Sequence, residues 1–168
     1  MPERGAELSH LDPSGAARMV DVTAKAETAR EAHAHVTVTM SEEAFAAAAS
    51  GDLPKGELLA VVRLAGVMAA KRTPDLVPLC HPLRLTQVDV NAVLDASLPG
   101  IRISSLVRCV ERTGAEMEAL TACAVAALTA IDMVKAIDPW VSVSGLEVTA
   151  KSGGKSGPRS RPPAQANP

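Results

Sequence analysis

Apolar and polar residues alternate from Ala34 to Met40, with Ala34, Val36, Val38 and Met40 on one face and His35, Thr37 and Thr39 on the other. A period of two marks a strand buried on one side. Ser41, followed by Glu42 and Glu43, opens a short alanine-rich helix, because its hydroxyl can accept from an orphan backbone N–H, and Gly51 closes that helix. The period then lengthens. From Lys55 to Ala70 a second helix is predicted, with Leu58, Val62, Ala65 and Ala69 along one side. Gly66, Ala69 and Ala70 are small enough to let another backbone come close. Pro74 and Pro78 predict an extended, irregular connection from Arg72 to Leu83.

Alternation returns in two runs. Val88, Val90, Ala92 and Leu94 oppose Gln87, Asp89, Asn91 and Asp95; after a Pro99-Gly100 turn, Ile101 and Ile103 oppose Arg102 and Ser104. These runs predict an antiparallel hairpin. A long helix from about Ala115 to Ile137 carries a stripe of Met117, Leu120, Ala124, Ala127, Ile131 and Val134. A last strand covers about Trp140 to Lys151, with Gly145 a candidate bulge. The order of strand, helices, two strands, helix and strand predicts an α+β, ferredoxin-like fold of split βαβ type. It has a four-stranded antiparallel sheet with helices packed on one face. The other face is left to be covered, which predicts self-association.

Composition sharpens this picture. The 168 residues suit one domain, expected over 19–151, between a polar arm (1–18) and a Gly/Pro/Ser-rich tail (152–168) with almost nothing to bury. Only Phe45 and Trp140 are aromatic, so the core must be aliphatic side chains and alanine packed at short range. A formal charge of -2 supplies no global field for nucleic acid. An RNA-recognition module, which stacks bases on sheet aromatics, is excluded for want of them. Three cysteines without paired spacing do not suggest a disulfide framework. The N-terminal residues lack the apolar run of a secretory signal, and no run of eighteen apolar residues occurs, so a cytoplasmic protein without a membrane span is expected.

Chemistry enters at a few places. Asp132 and Lys135, three residues apart on the long helix, are surface neighbours. A lysine at the border of an apolar stripe can be partly desolvated and tuned for proton transfer, with the carboxylate fixing its position; the plain alternative is a surface ion pair. Glu116 and Glu118 suit the first helical turn through the dipole alone. Leu79-Cys80-His81-Pro82 lies in a proline-bounded loop where an imidazole can bind or move protons. Zinc is disfavoured, since no second Cys/His pair has ligand spacing, and His33 with His35 lacks a third ligand. Lys25, Arg30, Lys55, Arg63, Lys71, Arg72, Lys135, Lys151 and Lys155 either converge on an anion or stand as separate solvated charges. Gly154-Lys155-Ser156 looks like the end of a Walker A loop, but Thr149 stands where that motif needs glycine, and Pro158 blocks the following helix. Glycine-rich backbone N–H groups with two lysines can still wrap phosphate.

Four strings in order carry a resemblance: MVDVTAKAETAREA (19–32), LPKGELLAVVRLAGVMAAKRTPDLVPLCHPL (53–83), TGAEMEALTACAVAALTAIDMVKA (113–136) and LEVTAKSGGKSG (146–157). Together they resemble the MoaC family of molybdenum-cofactor biosynthesis, the cyclic pyranopterin monophosphate synthases. The resemblance implies a ferredoxin-like enzyme that takes the cyclised dihydro-GTP to cyclic pyranopterin monophosphate and releases pyrophosphate. No cofactor and no protein-held metal site is expected, and whether magnesium accompanies the phosphates is left open. The resemblance also implies a homohexamer, a trimer of dimers, with active sites between subunits. Carried over by residue, Asp132, Lys135 and Lys55 are the expected catalytic groups. Leu79, Cys80, His81, Met117 and Glu118 are expected against the substrate, with Glu116 nearby, and Lys25, Lys151 and Lys155 near the triphosphate. Pro74 departs from the pattern, where many relatives carry an aromatic residue. A ligand-binding regulatory module of the same fold is the competing expectation.

Overall fold

The computed structural model describes residues 14–162. Most of the expected arm and the end of the tail lie outside the described residues. The chain forms β1 (Thr28–Thr39), α1 (Glu42–Ser50), α2 (Leu58–Ala70), α3 (Thr73–Leu76), β2 (Leu85–Asp95), β3 (Gly100–Glu111), α4 (Glu116–Val134), β4 (Ser142–Ser152) and β5 (Arg159–Ser160). All the strands join one sheet in the order β2-β3-β1-β4-β5, each neighbour antiparallel.

The sheet has five strands, not the four expected. The extra one comes from the Gly/Pro/Ser-rich tail, which has almost nothing to bury. Arg159 and Ser160 pair with Lys151 and Ala150, the Arg161 N–H donates to the Thr149 carbonyl at 2.8 Å, and the Arg161 guanidinium meets Glu147 at 2.7 Å. Backbone pairing along the open edge of β4, rather than apolar burial, holds this segment.

Other boundaries moved for local reasons. β1 begins at Thr28 although Thr-Ala-Arg-Glu-Ala is a poor strand former, because β3 pairs along its whole length and β4 from Glu31 onward. α2 starts at Leu58 rather than Lys55: the Glu57 carboxylate caps it by accepting from the N–H groups of Leu59 and Ala60. Lys55 therefore sits in the preceding turn. The connection after α2 is not wholly extended, since Pro74 occupies the first turn of α3, where its missing N–H removes no helical bond. Gly145 does mark a bulge: the β1–β4 register shifts between His35 and Thr37, opposite it.

The core lies between one sheet face and the helices. Ala32, Ala34, Val36 and Val38 of β1 and Ile101, Ile103 and Val107 of β3 are at most 1% exposed. Ala119, Ala126, Ala127 and Ala130 of α4 meet them, and their short side chains bring the helix close to the sheet, as the lack of aromatics required. A Cβ on Gly66 would stand 3.0 Å from both the Ala122 carbonyl oxygen and a Val90 methyl, so α2, α4 and β2 meet through a hydrogen atom. By length and mean hydropathy α4 is the one helix among the described residues apolar enough to cross a membrane, but half of it is buried inside this fold, against α2, β1 and β3.

Candidate active site

The expected residues gather in two clusters, one at each end of α4. The first is at its C-terminal end. Asp132 is exposed and held by two ammonium groups: Lys135 Nζ lies 2.7 Å from Oδ1, and Lys55 Nζ reaches Oδ2 and donates to the Asp132 carbonyl oxygen at 2.8 Å. Hydrogen bonds from Lys135, then Lys55, bring the Asp132 carboxyl down to about 2. Lys135 caps α4, where a cation complements the partial negative charge of the last carbonyls. The desolvation expected of Lys135 is not supplied within one chain, because its side chain is 58% exposed.

The second cluster surrounds the first turn of α4. Glu116 is pushed up by burial and pulled down by Lys151, which donates to Oε1 at 2.6 Å; the pull prevails and its carboxyl is lowered. Glu118 is the opposite case. It is 1% exposed, its Oε1 accepts from the Cys80 thiol at 3.5 Å, and its Oε2 has no partner. Burial raises its pKa. Burial, with the Glu118 charge behind it, pushes Cys80 up to about 11, so Cys80 is a thiol and a donor rather than a nucleophile. His81 donates through Nε2 to the Val20 carbonyl at 2.8 Å, which leaves Nδ1 to accept or to take up a proton. Leu79 is half-buried in the same loop, and Met117 is exposed beside Glu118.

A pocket of about 700 Å³ is lined by Lys25, Arg30, Arg112, Lys155, Thr28 and Gly154, among others. Arg30 is braced by donating to the carbonyls of Glu111 at 2.8 Å and Arg112 at 3.0 Å. The Thr28 hydroxyl is buried without a hydrogen-bond partner. Gly153 has φ +93, and a Cβ on it would meet the Ala29 carbonyl oxygen at 2.2 Å. Glycine here lets the lysine-bearing segment close over the start of β1. Positive side chains, an orphan hydroxyl and a glycine turn are a combination that suits an anion.

Arg112 and Thr28 were not legible as site residues. Arg30 was, but only as one cation among nine, since nothing in the spacing separates a braced guanidinium from a solvated one. His33 and His35 turn outward on the open face of the sheet and pair with Glu31 at 2.7 Å and Glu147 at 3.3 Å. Among the described residues no group of three or more His, Cys, Asp or Glu side chains is arranged to hold a metal.

The geometry has one decisive feature. Glu116 and Asp132 are sixteen positions apart on one helix, about 24 Å at the α-helical rise. The profile described as the MoaC family matches residues 19–154, which include both clusters. The chain belongs to the MoaC family. A relative from Roseiflexus sp. (strain RS-1), named cyclic pyranopterin monophosphate synthase, is 56% identical over 151 residues, covering 90% of this chain and 96% of its own. A relative of the same name from Methylobacterium sp. (strain 4-46) is 54% identical over 159 residues, 95% of this chain and 99% of its own. Another from Brucella ovis is 52% identical over 151 residues, 90% and 92%. In this MoaC-family chain the LCH loop and EMEAL string form one cluster, and the PKGE and D-M-x-K strings form the other.

Proposed function

We propose that this chain is a phosphorus-oxygen lyase of molybdenum-cofactor biosynthesis. It converts (8S)-3′,8-cyclo-7,8-dihydroguanosine 5′-triphosphate to cyclic pyranopterin monophosphate and releases pyrophosphate. The observation that carries the reading is the pairing of an anion pocket with a second set of proton-moving groups, in a family whose relatives bear that name. Ring opening, pterin formation and closure of the cyclic phosphate each move protons, which suits amines poised as acid or base. Closure breaks the bond between the α-phosphorus and the leaving pyrophosphate, and cations offset the charge that builds there.

Lys55 and Lys135 move protons, and Asp132 orients them. His81 and Glu118 hold the purine-derived rings, with Leu79, Cys80 and Met117 shaping that wall and Glu116 positioning Lys151. Lys25, Lys151 and Lys155 carry the phosphates, joined by Arg30 and the Thr28 hydroxyl. A separation of about 24 Å is too long for one substrate to span, so a complete site combines one cluster from each of two chains. This supports a homo-oligomer, and we read it as a trimer of dimers acting in the cytoplasm. The order β2-β3-β1-β4 supports a ferredoxin-like fold, to which β5 is an added edge. The single catalytic domain accordingly extends beyond residue 151 to include β5.

The test is direct. Incubated with the cyclised dihydro-GTP, the protein releases one pyrophosphate per pterin product. Lys135→Ala and Asp132→Asn each abolish release with the far-UV circular dichroism unchanged. Near-normal turnover by either variant defeats the assignment.

A further inference from the structure

The string KSGGKSG forms the turn of a hairpin. Lys151 of β4 pairs with Arg159 of β5, so the seven residues between them (152–158) are closed at both ends. The stem is completed by Ala150 pairing with Ser160 and by the Arg161 N–H on the Thr149 carbonyl at 2.8 Å. One ion pair locks its far end. The Arg161 guanidinium lies 2.7 Å from Oε2 of Glu147, whose Oε1 is 3.3 Å from His35 Nε2.

The two lysines of the turn are placed differently. Lys151, on the stem, donates to Glu116 at 2.6 Å and stays by the first turn of α4. Lys155 is exposed near the tip and reaches the anion pocket only as far as the turn carries it. On one side the turn rests on β1: a Cβ on Gly154 would stand 2.5 Å from an Arg30 guanidinium nitrogen. On the other it is tied to the sheet through β5 alone. A segment tethered at one end must be ordered each time a phosphate binds. One closed at both ends is ordered beforehand, which strengthens binding without any new contact.

We infer that β5 is a clamp on this turn, with Arg161 and Glu147 as positioning residues that hold Lys155 over the anion pocket. Neither residue lines that pocket. They act through the backbone that joins them to Lys155. The plain alternative is a strand that only blunts the open edge of β4, with no tie to the lysine.

This inference rests on the reading of Lys155 as a phosphate carrier, and its test uses inorganic triphosphate, titrated by calorimetry. Arg161→Ala loses the ion pair and is expected to weaken binding about 3-fold. Arg161→Pro also loses the N–H bond to Thr149, and about 10-fold is expected. Arg161→Lys keeps a cation and should bind within about 2-fold of the wild type. Amide hydrogen exchange over 152–157 should quicken in Arg161→Pro while β1 and β3 keep their protection. In turnover, KM should rise by the same factors with kcat unchanged, since the phosphates are held alike before and during reaction.

The deciding measurement is a double-mutant cycle. In a Lys155→Ala background, Arg161→Pro is expected to weaken triphosphate binding no further. If it weakens binding equally in both backgrounds, or in neither, β5 only covers the edge and the clamp is wrong. The clamp is equally wrong if the wild type binds no triphosphate. If the cycle comes out as expected while the wild type releases no pyrophosphate from the cyclised dihydro-GTP, the clamp stands and the function proposed above fails instead.

Discussion

The two ends of α4 carry the same chemical groups in opposite circumstances. At the C-terminal end a carboxylate stands in water between two lysines and its pKa falls; at the N-terminal end another is walled off, keeps one oxygen without a partner, and its pKa rises. Two like groups driven apart in this way can divide acid, base and hydrogen-bonding roles at a single pH. The difference also shows what one chain can build alone. The buried end needs only the chain's own loop, turn and sheet. The exposed end has its charges arranged but not sheltered.

The sharpest way to break this comparison is to disable each end in separate molecules. Asp132→Asn and Glu118→Gln are each expected to lower turnover by roughly 1000-fold or more, the scale of removing a group that acts in the transition state. Unfolded together and refolded, the two variants should regain activity. Random pairing makes half the dimers mixed, and each mixed dimer has one intact site and one doubly damaged site, so about a quarter of wild-type turnover returns. If the mixture stays as dead as its components, the ends act within one chain and the composite site is wrong.

A smaller effect is expected where the anion pocket depends on backbone. Gly153→Ala puts a side chain where φ is +93 and the Ala29 carbonyl oxygen is 2.2 Å from the new Cβ. Strain of this kind costs about 1–3 kcal/mol, read as a lowered urea midpoint. Because Lys155 follows closely, KM should rise while the Lys55–Asp132–Lys135 end is untouched. A variant with unchanged stability and KM would mean that the glycine turn has no part in holding the pocket.

Much of this was readable from residue order, and the failures have physical causes. Alternation in Ala34–Met40 and the stripe in α4 identify core elements because burial repeats at the period of the backbone. The faces so assigned to β1 and β3 are the buried ones. On α4 only Ala127 and Val134 of the expected stripe are buried and Met117 is exposed, the core side running instead through Ala119, Cys123, Ala126, Ala130 and Met133. β5 escaped notice because Arg159 and Ser160 are held by backbone pairing, which leaves no apolar pattern. The motif strings located the chemistry-bearing residues, but a string says nothing of distance. Lys135 at the edge of an apolar stripe suggested a sheltered amine, whereas the outward side of α4 at that point meets solvent in a single chain. Arg112 and Thr28 acquire meaning only when the end of β3 and the start of β1 are brought to one pocket by the sheet register.

The smallest expected effects are those of charge on stability, and here the two ends should differ in sign. Glu118 binds its proton more tightly when folded, so the native state holds more protons than the unfolded one between the ordinary glutamate value and the raised one. Stability then falls as pH rises through that window. Glu118→Gln keeps the shape and removes the charge, so its stability should be flat over that window and, near neutrality, equal to or up to about 1 kcal/mol above the wild type. Asp132 works the other way. Its lowered value means that its contribution is fully present above the ordinary aspartate range and disappears as pH falls toward 2. Because that carboxylate is exposed and its ion pairs are screened by water, Asp132→Asn should leave the melting temperature almost unchanged from pH 5 to 8. Urea titrations of both variants from pH 4 to 8 measure the contrast. A wild-type stability that rises with pH through the Glu118 window, with Glu118→Gln abolishing the rise, would mean that Glu118 is charged and paired in the folded protein, and the distinction between the ends of α4 would vanish.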